Sequence, residues 1–159
     1  MNNPVKSTDS RFRTIAAVLV LLSRNSETGT EYLLQKRQNT SFDGMWDFSA
    51  SGHVEKNEPM TKTVCRETKE EIGIDVSPEN VEFMGLLHEF GDDGQPRFLG
   101  CFRIKKYAGE IKIGEPEKIA ELKWFNENNL PDDMIVSRKK ALEKFLNDDV
   151  FYQELDWDE

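Results

Sequence analysis

Two cysteines, two histidines and no apolar run longer than eight residues leave this chain few ways to do chemistry or to enter a membrane. Cys65 and Cys101 lack metal-type spacing and suit a reducing cytoplasm, and Cys65 reads as a buried small hydrophobe rather than a nucleophile. The longest apolar run, Ile15 to Leu22, is far short of the roughly 20 residues that span a bilayer. Met1 to Ser10 is polar and has no apolar core of a secretory signal. Basic residues are also scarce, 21 against 30 acidic for a formal charge of −9. That balance argues against bulk binding of nucleic-acid backbones, which needs clustered Lys and Arg. A small polyphosphate ligand stays open, because bound metal ions can invert a local field.

Composition fits one domain, with 37% hydrophobic and 32% charged residues. We expect a flexible N-terminal segment over 1–10, a domain over 11–150 and an acidic, frayed, solubilising tail over 151–159. Thr14 to Leu22 reads as a buried strand, and Glu31 to Arg37 as its partner across the turn Glu27-Thr28-Gly29-Thr30. Trp46 to Ala50 reads as a short strand. Val81 to Phe90 and Arg97 to Tyr107 form a hairpin about Gly91-Asp92-Asp93-Gly94, and Ile119 to Phe125 is a further strand. A helix opens near Pro59 and closes at Gly73, and a second covers Ser137 to Leu146. The pattern alone supports a mixed α/β domain without repeats.

What the chain does have lies between Gly52 and Ile74. Glu67, Glu70 and Glu71 stand at i, i+3 and i+4, on one face of the expected helix, with Val64, Cys65, Thr68 and Ile72 on the packing side. Three carboxylates on one face repel and call for a cation, and oxygen-only ligands suit Mg²⁺ or Mn²⁺. A solvated acidic face would carry lysines four residues on, but the i+4 partners of Glu67, Glu70 and Glu71 are Glu71, Ile74 and Asp75. Only Arg66 can pair with Glu70.

The spacing Gly52-x5-Glu58-x7-Arg66-Glu67-Thr68-x-Glu70-Glu71-x-Gly73-Ile74 resembles the signature box of the Nudix hydrolases. Of its nine fixed or restricted positions only Thr68 departs, standing where relatives carry an aliphatic residue. Its hydroxyl should bond a backbone carbonyl one turn back. Ser51 replaces a second glycine, and Asn57, which tolerates the left-handed region, replaces a glycine before Glu58.

The resemblance implies an α/β/α sandwich around a mixed β-sheet and a divalent-cation-dependent pyrophosphohydrolase. Its substrate would be a small nucleotide, a nucleoside diphosphate linked to a further group. Glu67, Glu70 and Glu71, with Gly52 close by, would hold Mg²⁺ or Mn²⁺. Glu58 would anchor Arg66, and Glu67 would be the general base. In a weaker likeness Gly114 to Lys118 resembles a loop that brings an outside acid to the metals, filled by Glu115 or Glu117. Arg37, whose planar fork suits phosphate oxygens, is a candidate phosphate contact. His53, Phe48 and Phe90 are candidate substrate contacts.

The downstream Glu115 to Lys118 and Trp124-Phe125 lean toward (deoxy)nucleoside triphosphates, oxidised ones included, with nucleotide sugars or ADP-ribose as runner-up. Gly44 to His53 also resembles the approach to the box in isopentenyl-diphosphate isomerases, but Ser51 stands where that group has its cysteine. A non-catalytic nucleotide sensor is the third reading, although such domains tend to lose box acids that are intact here. A homodimer is compatible with all three; a membrane partner is not expected.

Overall fold

Ala17–Leu22 of the apolar run are buried on both faces, and the molecule is built around them. The computed structural model describes residues 11–147 and 149–157. Strands β1 (Ile15–Ser26), β2 (Gly29–Arg37), β3 (Trp46–Asp47) and β4 (Ala50–His53) lead into helix α1 (Met60–Ile72). Strands β5 (Val81–Phe90), β6 (Pro96–Ile104) and β7 (Ile119–Asn126) follow, then helix α2 (Val136–Phe145) and strand β8 (Phe151–Leu155).

One eight-stranded mixed sheet results, in the order β3-β2-β1-β6-β5-β8, with β4 also on β1 and β7 also on β2. β1 runs parallel to β6, and β5 parallel to β8; the other pairs are antiparallel. Alternation along β1 sends Val18, Val20 and Leu22 into a core with Val64 and Ile72 of α1. Ala17, Leu19 and Leu21 enter the opposite core with Ala141, Leu142 and Phe145 of α2. The sheet therefore lies between the two helices, an α/β/α sandwich.

Several sequence expectations need correction; β6, for one, ends at Ile104 rather than Tyr107, where its partner β5 begins (Val81↔Ile104). β1 continues past Leu22 to Ser26, because its far half pairs with β2 through Ser26↔Gly29. The expected strand Trp46 to Ala50 is two strands. Ser49 leaves the ladder between them, where its hydroxyl donates to Leu33 O at 2.7 Å and accepts from Leu22 N at 2.8 Å. α2 starts one residue earlier than expected and ends one earlier, at Phe145.

The largest change is in the tail. Phe151–Leu155 extends the sheet, Leu155 is buried, and Trp157 Nε1 donates to His88 O at 2.8 Å while its ring packs on His88 and Phe90. Counting acids hid an apolar alternation within the segment. The expected segment 1–10, and Asp158 and Glu159 of the tail, lie outside the described residues. Among the described residues no helix is long and apolar enough to cross a membrane.

Candidate active site

Local rules fix where α1 begins and ends. Asn57 takes the left-handed region with φ 65°, and Pro59 is extended just before the first turn. Gly73 closes the helix at φ 77°, its N–H donating to Lys69 O at 3.2 Å. Thr68 Oγ1 bonds Val64 O at 2.8 Å, so the non-aliphatic box residue sits fully buried with its hydroxyl satisfied. Val64 and Ile72 are fully buried, while Cys65 lies half-exposed at the edge of the stripe.

The opposite face of α1 forms one wall of a cleft of about 480 Å³. Arg66 is its electrostatic hinge. Glu58 grips it twice, Nε to Oε1 at 2.9 Å and Nη2 to Oε2 at 3.0 Å, the bidentate geometry that aligns a guanidinium. Nη1 then reaches Glu67 Oε1 at 2.6 Å and Glu70 Oε2 at 3.2 Å, and Nη2 also donates to His53 O at 3.0 Å. The hydrogen bond from Arg66 holds the Glu58 carboxyl down at about 2.

Two of the box acids are buried. Burial pushes the Glu67 carboxyl above its ordinary range, with Arg66 opposing. Burial raises Glu71 further, to about 8, although Ser51 N at 2.8 Å and Gln35 Nε2 at 3.3 Å both donate to its Oε2. A side chain at Gly52 would collide with the Glu67 carboxylate, so glycine is what admits that carboxylate against β4.

These residues fit a hard divalent cation by chemistry. The donors are all oxygens, and Glu71 is a buried carboxyl that burial holds toward its protonated form until a cation offsets its charge. They do not close into a ligand shell as they stand, since no three acid, His or Cys side chains among the described residues are so arranged. Arg66 instead lies between Glu67 and Glu70. Because Glu67 is the flexible neighbour that must yield, Gly52→Ala should leave the fold intact and swing that carboxylate away. We expect about a tenfold or greater fall in kcat with a melting temperature within a few degrees of the parent, read by steady-state assay and thermal melt.

The structure sorts the remaining sequence candidates. Glu115 lines the cleft, tied by Oε1 to Lys118 Nζ at 3.0 Å, on a loop pinned to α1 by Gly114 N to Glu71 O at 2.9 Å. Glu117 does not line it. His53 is exposed at the cleft rim. Arg37 also lines the cleft, but its guanidinium is taken up by Asp47 Oδ2 at 2.9 Å, Ser41 O at 2.7 Å and the Thr40 and Ser41 hydroxyls.

Phe48 is a correction: it is fully buried and packs edge-on against Phe145, on the core side of the sheet, and touches no cleft. Phe90 lines a second, adjoining chamber rather than the first. Sequence reading missed Gln35, the Ser51 N–H and the buried pair Arg138–Asp47 (3.0 Å), all of which depend on contacts across the sheet. Only the Arg-rich lining of a cleft beside an acidic helix could have pointed to them, and that appears only in three dimensions.

An acid-faced helix after a glycine-bearing strand, clamped by an Arg–Glu pair on an α/β/α sandwich, defines the class of this domain, and comparison with known proteins gives its family. A model described as "NUDIX domain" matches residues 13–145, and the chain belongs to that family. It is 30% identical over 116 residues to the NAD-capped RNA hydrolase NudC of Stutzerimonas stutzeri, an overlap of 72% of this chain and 37% of that protein. It is 33% identical over 106 residues to the ADP-ribose pyrophosphatase of Methanocaldococcus jannaschii, covering 66% of this chain and 60% of that protein. The chain thus spans less than two thirds of the length of either. Among solved structures, the MutT NUDIX hydrolase from Burkholderia pseudomallei superposes with a TM-score of 0.74 at 24% identity, over 84% of this chain and 98% of that one. Nudix hydrolases generally use divalent cations, typically Mg²⁺.

Proposed function

We propose that this domain is a divalent-cation-dependent pyrophosphohydrolase acting on a nucleoside diphosphate linked to a further group. The observation that carries this reading is the convergence of Glu67, Glu70, Glu71 and Glu115 on one cleft, two of them with carboxyls raised by burial. Glu67, Glu70, Glu71 and Glu115 would hold Mg²⁺ or Mn²⁺, which supplies charge neutralisation on the diphosphate and a water of lowered pKa. Glu67, its carboxyl raised by burial, takes a proton from the attacking water. The water oxygen bonds to one phosphorus, and the bridging oxygen leaves with the other phosphoryl group. Arg66, locked by Glu58, holds Glu67 in place and screens Glu70 from its neighbour.

For the substrate we favour (deoxy)nucleoside triphosphates, cleaved to monophosphate and pyrophosphate. The support is the loop Gly114–Lys118, which brings Glu115 to the cleft and resembles that of nucleotide-hydrolysing relatives. ADP-ribose is the second reading, favoured by likeness to an ADP-ribose pyrophosphatase. The isomerase reading has Ser51 in its cysteine position, where the backbone N–H is committed to Glu71. A screen of dGTP and other triphosphates, ADP-ribose, UDP-glucose and a dinucleoside tetraphosphate with Mg²⁺ and Mn²⁺ tests the choice. Triphosphates should lead by about tenfold or more in kcat/KM. A lead by ADP-ribose or a sugar nucleotide would overturn the triphosphate assignment, and no turnover of any would overturn the hydrolase.

A further inference from the structure

Beside the acidic cleft lies a second chamber of about 660 Å³, walled by Phe42, Met45, Phe90, Ile135 and Val136. Arg97, Phe42, Ser41 and His53 line both spaces, so these four mark the junction. Phe42 is held there at φ 58°, a conformation a bulky side chain rarely adopts, with the Arg138 guanidinium 6.0 Å from its ring.

Arg97 is unlike the other cations of the cleft. Arg66 is gripped by Glu58, Arg37 and Arg138 by buried Asp47, and Lys118 by Glu115. Arg97 pairs with Glu89 across the β5–β6 ladder in register, yet the Glu89 carboxylate turns to Arg138 Nη1 at 3.7 Å. Arg97 Nη2 instead donates the other way, to Asp93 Oδ2 at 2.6 Å, on an exposed turn. Its Nε is buried with no partner. Such orphaned donors are rare, and this one marks a guanidinium that the fold leaves incompletely satisfied.

We propose that Arg97 is a specificity-determining residue that holds the substrate phosphate carrying the organic group, with that group seated in the second chamber between Phe42 and Phe90. This rests on the reading of the cleft as a diphosphate site. A phosphate oxygen at the junction competes with Asp93 for the guanidinium fork. An exposed Asp–Arg pair of this kind is weak enough to exchange. The apolar walls accept a flat heterocycle, and the buried Glu89 carboxylate on the same wall supplies an acceptor for its N–H groups.

The test compares Arg97→Ala, Arg97→Gln and Asp93→Asn with the parent protein. KM and kcat are measured for dGTP and ADP-ribose, and α,β-methylene-ADP is titrated calorimetrically as a readout independent of turnover. Asp93→Asn keeps the Oδ1 that accepts from Gln95 N at 3.1 Å and removes the charge and the Oδ2 acceptor that hold Arg97. Both Arg97 variants should raise KM and the methylene-ADP dissociation constant by about tenfold or more, with kcat within about threefold. Asp93→Asn should lower both constants by about two- to fivefold, because it frees the fork.

If both substitutions weaken binding alike, the pair merely stiffens the turn and the proposal is overturned. Unchanged constants in folded Arg97→Gln, or no binding of methylene-ADP to the parent, overturn it too. If neither substrate turns over while methylene-ADP binding still depends on Arg97, the hydrolase reading fails and this one stands.

Discussion

Replacing Glu70 and Glu71 together by Gln is expected to lower kcat by about two to three powers of ten while the protein stays folded. The two positions differ in what they give the fold. Glu70 is about half exposed, its side chain at 49%, and its ion pair is with Arg66, which Glu58 holds regardless. Glu71 is buried with its carboxyl at about 8, so near neutral pH and without a cation its protonated form prevails. A glutamine amide matches that form in shape and can still accept from Ser51 N. Neither change opens a cavity. What the double variant loses is negative charge at the cleft wall, which a divalent cation on a diphosphate requires. Circular dichroism and a thermal melt establish folding, and kcat with saturating Mg²⁺ reads the loss. A folded double variant with full activity would mean that the reaction runs elsewhere.

The parts of this site written in local sequence were legible before the fold was known. Helical spacing put Glu67, Glu70 and Glu71 on one face, and the start near Pro59 and the stop at Gly73 follow from backbone rules that need no neighbours. The Glu58–Arg66 grip and the back-bonded Thr68 hydroxyl came with the box. Strand pairing was less so. β8 escaped because its worth lies in a parallel ladder to β5, from Gly85↔Phe151 to Glu89↔Leu155, while its composition reads as acidic tail. Phe48 looked available from its place beside the box, yet strand alternation and the Ser49 detour turn it into the core. The choice between Glu115 and Glu117 depended on a loop pinned by Gly114 to the helix end, a contact between residues far apart in the chain. Arg97 and Arg138 look like ordinary strand and helix arginines until the sheet places them at the cleft.

Glu71 also makes the protein a reporter of its own site. Its folded carboxyl stands at about 8 against an ordinary 4.5, so between those values the folded state binds a proton that the unfolded state has lost. Stability from this group is therefore complete below about pH 4.5 and is lost as pH rises toward 8, by up to about 5 kcal/mol. Glu67, also raised, adds in the same direction. Glu58, held at about 2, acts in a separate window below pH 4.5 and does not blur the measurement. In excess chelator the melting temperature should fall from pH 5 to pH 8 by about 10 °C beyond that of Glu71→Gln, roughly 3–4 kcal/mol at about 2–4 °C per kcal/mol for a domain of this size.

Saturating Mg²⁺ should recover most of that fall, because a cation stabilises the ionised carboxylate, and its binding near pH 7 should release close to one proton from Glu71. Turnover should follow the same logic, absent in chelator, restored by Mg²⁺ or Mn²⁺, and rising toward alkaline pH as the carboxylate and the attacking water are deprotonated. Thiol chemistry should leave it alone, since burial pushes Cys101 up to about 12 and raises Cys65 as well. If chelated parent and Glu71→Gln melt in parallel across pH 5–8, Glu71 is not the buried acid that this site turns on.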